Sequence, residues 1–126
     1  MGMECATLVS KILDSSHHIR FAAIFDKSGN IVASGERPGV QRLLSDEDTK
    51  KWAHTAVKAW KSREQLYSKI GEGKYVLAVY EDLKRITMPV GPNHLVYVTF
   101  DEDGGQEDII QAVLNQKPGF GAPGLK

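Results

Sequence analysis

Residues 21–35 read FAAIFDKSGNIVASG, and the fold turns on them. Two apolar runs flank Asp26-Lys27-Ser28-Gly29-Asn30. Gly and Asn accept positive φ more readily than other residues, so the centre reads as a tight turn and the whole as an antiparallel hairpin. The first arm, Ile19–Asp26, is apolar on both faces: Phe21, Ala23 and Phe25 alternate with Ala22 and Ile24. The second arm returns over Asn30–Ser34. Far along the chain, Leu95-Val96-Tyr97-Val98-Thr99-Phe100 is also apolar on both faces. An antiparallel sheet with one wet face alternates apolar and polar residues, so strands like these need cover on both sides. A large apolar side chain left in water instead of buried forfeits about 1.5–3 kcal/mol, which makes a bare face untenable.

The cover is present in the chain. Before the hairpin, Glu4–Asp14 places Cys5, Leu8, Val9, Ile12 and Leu13 on one helical stripe. After it, GERPGVQRLL breaks regular structure at Pro38 and Gly39. Ser45 then reads as a helix N-cap, with Asp46, Glu47 and Asp48 in the first turn, where the helix dipole favours negative charge. The pattern predicts one long helix over Asp46–Ile70, stopped by Gly71 and Gly73. Its apolar stripe is Trp52, Ala56, Ala59, Trp60, Arg63, Leu66, Tyr67 and Ile70; Lys50, Lys51, His54, Lys58 and Lys61 lie opposite. Three strands follow, at Lys74–Glu81, Lys84–Met88 and His94–Phe100. Pro89 lacks a ladder donor and is expected to end or bulge the middle one. A last helix, Gln106–Gln116, buries Ile109, Ile110, Val113 and Leu114. The end, KPGFGAPGLK, is rich in Gly and Pro and reads as a flexible tail over 117–126, so the chain is one domain over 1–116. The economical α+β arrangement puts the terminal helices on one face of the sheet and the middle helix on the other.

With an apolar strand, an Asp-x-x-Gly turn and a second strand in AAIFDKSGNIVASG, the chain resembles the roadblock family of dynein light-chain-like proteins, within the profilin-like group. Asp26, Gly29 and Ser34 stand in the expected places. The likeness covers about residues 3–116; small archaeal proteins of this layout look similar too. It implies a five-stranded antiparallel sheet in the order 2-1-5-4-3. It also implies a non-catalytic adaptor or regulator that forms a homodimer and engages a small GTPase in signalling. Roadblock proteins pair through the middle helix and the third strand, here Asp46–Ile70 and Tyr75–Tyr80. On those elements the candidate pairing residues are Trp52, Ala59, Arg63, Tyr75, Leu77 and Val79. The long GERPGVQRLL loop and Pro89 depart from the family pattern. They leave a second reading open, a profilin-like or PAS-like sensor with a small ligand between sheet and middle helix, lined by Trp52, Trp60, Tyr67, Phe25 and Tyr97.

Composition narrows the remaining classes. Sixteen basic and sixteen acidic residues among 126 cancel, so no global field draws nucleic acid or an anionic membrane. The lysine face of the middle helix, with Lys50, His54, Lys58 and Lys61, is either a solvated face or a docking face for an acidic partner. No aromatics interleave with those lysines, which argues against nucleic acid. A single cysteine, Cys5, allows no internal disulfide and fits a cytoplasmic protein. It falls on the first helix's apolar stripe and reads as a buried small hydrophobe. MGMECATLVSKIL lacks the apolar run of a signal peptide, and no stretch is long and apolar enough to insert in a membrane. His17-His18 lacks supporting ligands at metal spacing, and His94 has no evident partner. DEDGGQED at 101–108 misses the calcium-loop spacing and reads as charge at a helix N-terminus. GEGK at 71–74 lacks the phosphate-loop spacing. No cofactor, metal or catalytic constellation is expected, so the chain reads as not an enzyme.

Overall fold

The computed structural model describes residues 4–40, 43–101 and 105–116. The expected tail at 117–126, and the part of DEDGGQED at 102–104, lie outside the described residues. In chain order the elements are α1 (Cys5–Ser15), β1 (Ile19–Asp26), β2 (Ile31–Glu36), α2 (Asp46–Glu64), α3 (Tyr67–Ile70), β3 (Val76–Val79), β4 (Lys84–Val90), β5 (His94–Phe100) and α4 (Gln106–Gln116). The strands form one antiparallel sheet in the order β2-β1-β5-β4-β3.

The doubly apolar strands lie side by side at its centre. Ile24 pairs with Val96, and Ala23 with Tyr97. Strand alternation then divides the core in two. On one side Ile19, Ala22, Ile24, Val96, Val98 and Phe100 pack under α1 and α4, with Leu8, Val9, Ile12, Ile109, Ile110 and Val113 above them. On the other side Ala23, Phe25, Leu95 and Tyr97 pack under α2, against Ala53, Ala56, Val57 and Trp60. Cys5 is buried in the first of these layers, and burial pushes its thiol pKa up, away from the reactive thiolate.

The hairpin turn is built by Asp26. Its Oδ1 accepts from the backbone N–H groups of Ser28 and Asn30, each at 2.9 Å, and Gly29 takes φ 85°. A Cβ on Gly29 would stand 2.5 Å from Nδ1 of the exposed His54 side chain, which lies over the turn, and the positive φ is what calls for glycine there. At the start of α2, Ser45 and Asp48 form a reciprocal capping box. No basic residue stands in the last turn of α1. Arg37, just beyond β2, serves that end instead: it donates to the carbonyls of Ile19, Leu13 and Ser16. Arg20 and Asp101 add an ion pair at 2.6 Å between the ends of β1 and β5.

Several expectations need correction. The middle helix does not run to Ile70. Leu66 N–H turns back to the carbonyl of Arg63, three residues earlier, and the short α3 resumes beyond it. The buried stripe of α2 is Thr49, Ala53, Ala56, Val57 and Trp60. It is rotated from the expected one, because Trp52 leans over the β3–β4 end of the sheet rather than into the core. Arg63, Leu66 and Ile70 are exposed. β3 is shorter than expected. β4 continues through Pro89 to Val90, since β3 pairs only as far as Thr87 and leaves β4 with a single neighbour at the proline. His94 does have a neighbour: it pairs across β1–β5 with Asp26.

Two outcomes follow from this packing. Leu8→Ala empties a fully buried position and is expected to cost about 2–5 kcal/mol in urea denaturation, against less than about 0.5 kcal/mol for the half-exposed Val32→Ala. The Asp26 carboxyl pKa is held below its ordinary value, chiefly by the backbone N–H of Asn30. Its contribution to stability is therefore present above the unfolded carboxylate pKa of about 3.9 and is lost as pH falls through the lower folded value. The stability gap between the native chain and Asp26→Ala should narrow as pH is lowered from about 5 towards 3. An unchanged gap in acid denaturation curves would show that the turn does not depend on the charge.

Candidate functional site

The side of the sheet covered by α2 carries the polar chemistry. On β4, Ile86, Met88 and Val90 turn towards α1 and α4, so Arg85, Thr87 and Pro89 turn towards α2. Two of these are polar residues on an otherwise apolar face, and a tryptophan of α2 meets each. Trp60 donates from Nε1 to Oγ1 of the buried Thr87 at 3.0 Å. The Arg85 guanidinium lies 3.7 Å from the centre of the Trp52 ring and 5.7 Å from that of Tyr97. Tyr80 packs edge-on against Trp52 at 5.5 Å. Burial lowers the Arg85 pKa, and its Nη1 is out of water with no hydrogen-bond acceptor. Beside it opens a cavity of about 320 Å³ with walls that include Leu43, Leu44, Trp52, Tyr80 and Leu83.

The residues expected to form a pairing surface are distributed around the β3 edge. Trp52 and Ala59 are half-buried on α2. Arg63 is exposed, its guanidinium 5.5 Å from the Trp60 ring, so it needs no buried carboxylate. Tyr75 and Val79 are exposed, whereas Leu77 packs inward towards the α1–α4 layer. The set spans both faces of the sheet, α2 on one and Leu77 towards the other. The exposed Leu66, Ile70 and Tyr80, outside that set, belong to the same region of chain around α3 and β3.

Lys50, Lys51, His54, Lys58 and Lys61 of α2 are all exposed. Lys27 and Ser28 of the hairpin turn join His54, Lys58 and Lys61 around an open hollow of about 260 Å³. The aromatics expected to line a ligand pocket share one apolar cluster, with Trp52 and Tyr67 packed against the buried three. Phe25, Trp60 and Tyr97 are packed core; Tyr97 and Trp52 alone of the five border the Arg85 cavity. The rings of His17 and His18 lie 4.1 Å apart, tilted by 37°. Among the described residues no group of three or more His, Cys, Asp or Glu could hold a metal, and no helix is long and apolar enough to cross a membrane.

No known family profile and no curated protein matches the chain in sequence. Solved structures do match in shape. A roadblock/LC7 domain from Streptomyces avermitilis superposes with a TM-score of 0.70 at 10% identity, over 90% of this chain and 92% of that one. The fold is the roadblock fold. The gliding protein MglB of Thermus thermophilus gives 0.67 at 15% identity, covering 90% and 87% of the two chains. An MglB described with a tetrameric arrangement gives 0.74 at 13%, covering 89% and 81%. Profilin II of Acanthamoeba castellanii gives 0.64 at 14%, covering 90% and 94%, which sets this roadblock fold within the profilin-like group.

Arg85 and Thr87 were not singled out by sequence. A signal existed: they are the polar members of the β4 face that α2 must cover. Thr87→Val keeps the shape of that contact and leaves the Trp60 N–H buried without an acceptor. The expected loss is about 1–3 kcal/mol in urea denaturation. A loss under about 0.3 kcal/mol would mean that the indole finds another acceptor.

Proposed function

We propose that this protein is a non-catalytic adaptor that pairs with a second copy of itself and, as a pair, engages a small GTPase. The observation that carries the first half is the β3 edge. β3 is the last strand of its sheet, Val79 is 60% exposed, and Tyr75 and Tyr80 flank the strand at 41% and 45%. A strand with open backbone groups and apolar side chains is a template for another chain. Ile70 of α3, 78% exposed, adds apolar surface shortly before that strand. Trp52, Ala59, Arg63, Tyr75, Leu77 and Val79 are the residues proposed to make or border the contact. The family likeness of the hairpin and the roadblock fold support the GTPase as the partner. The basic face of Lys50, His54, Lys58 and Lys61 is the surface proposed to meet acidic groups on it.

Sedimentation equilibrium at micromolar concentration is expected to show a dimer. Val79→Lys, a charge on the edge strand, should weaken it at least tenfold, about 1.4 kcal/mol. A strict monomer overturns the pairing. The double variant Lys58→Glu/Lys61→Glu should leave the dimer intact. It should weaken calorimetric binding of a triphosphate-loaded small GTPase from the same genome, most at low salt. Equal binding by the double variant removes the basic face from the proposal.

A further inference from the structure

The cavity beside Arg85 shares Trp52 and Tyr80 with the pairing edge and no residue with the basic face, and its chemistry is specific. We infer that it is a binding site for a small monoanionic carboxylic acid with an apolar body, the carboxylate held by the Arg85 guanidinium and the body by the walls around Trp52. The inference does not rest on the adaptor reading.

The argument begins with what Arg85 lacks. Its guanidinium is sandwiched into an aromatic setting, 3.7 Å from the Trp52 ring, and no carboxylate among the described residues pairs with it. The aromatic faces offset part of the cost of taking the cation from water. They accept no conventional hydrogen bonds; Nη1 is buried with no acceptor among the described residues, and the rest of the half-buried side chain lines the cavity. A planar fork of donors held rigidly on a ring is matched to a two-oxygen anion. Such an anion would raise the value of every donor it meets, because the site is partly shielded from water.

The walls decide between anions. Leu43, Leu44, Trp52, Tyr80 and Leu83 offer apolar surface, and about 320 Å³ is the size of a small-molecule site. Among the described residues Arg85 is the one cationic residue lining the cavity, and Glu81 and Asp82 also border it. A phosphate dianion would meet one positive and two negative groups. A single carboxylate on an apolar body balances the cation, and its body displaces water from leucine and aromatic surface.

Phenylacetate is the probe, with phenylacetamide as its neutral isostere and inorganic phosphate as the polar anion. The indole N–H resonances of the two tryptophans give the readout. Trp52 borders the cavity, while the Trp60 indole is bonded to Thr87 and serves as an internal reference. Phenylacetate should shift the Trp52 signal saturably with a dissociation constant on the order of 1 mM, as a ligand of about ten heavy atoms allows. Phenylacetamide and phosphate should each bind at least tenfold more weakly. Arg85→Met, similar in length but uncharged, should abolish the preference for the acid. Leu83→Trp, which fills the cavity and keeps Arg85, should abolish binding while the Trp60 signal shows the fold intact. The titration is repeated on Val79→Lys, so that self-pairing over the cavity is not mistaken for a site that binds nothing. Saturable acid-selective binding by either chain supports the inference. It is overturned by no binding to either, by equal binding of acid and amide, by phosphate binding as tightly as phenylacetate, or by an unchanged preference in Arg85→Met.

Discussion

Two adjacent strands with no polar face, β1 and β5, govern the rest of the molecule. Their side chains enter two separate apolar layers, so the sheet needs helices on both sides. The supply is unequal. α1 and α4 share one face, and on the other α2 packs on the core with only Tyr67 of the short α3 beside it among the described helices. Five strands at a spacing of about 4.8 Å make a sheet roughly 20–25 Å wide, while one helix covers about 10 Å. A single helix therefore cannot roof its face. It sits over β1 and β5, where the need is greatest, and leaves the β3–β4 end partly uncovered. The Arg85 cavity lies in that uncovered strip. The exposed Tyr80, which packs on Trp52, follows from the same shortage.

The single helix is fixed in place by unlike contacts. Ala53, Ala56 and Val57 bring its axis close to the sheet. Trp60 reaches over to Thr87, and Trp52 reaches sideways to Arg85 and Tyr80. At the other edge the hairpin turn presses Gly29 against His54. The small residues set how near the helix lies, and the large ones set its rotation. That rotation places Lys50, His54, Lys58 and Lys61 outward as a group, so the basic face is a by-product of how the tryptophans are seated.

The sequence disclosed the layers because period-two and period-3.6 patterns report directly on which side of an element is buried. The bounds of β1, β5 and α4, and the N-cap at Ser45, are local features and could be read residue by residue. The rotation of α2 could not. Trp52 and Trp60 count equally as apolar in a helical pattern, yet one packs into the core and the other over an edge. That difference depends on which strand lies beneath, which is a matter of topology. Arg85 was obscured for a related reason. A charged residue on a short strand looks solvent-facing until the helix above it is positioned. The break at Leu66 depends on a three-residue turn whose participants, Arg63 to Leu66, are all good helix formers. No Gly or Pro marks it.

Arg37 joins parts of the molecule that are otherwise on opposite sides. Its guanidinium closes the end of α1, which lies over one face, while its backbone opens the connection that leads to α2 on the other. That connection carries Leu43 and Leu44, two walls of the cavity. Without the Arg37 side chain the carbonyls of Leu13 and Ser16, at the close of the first helix, lose this donor.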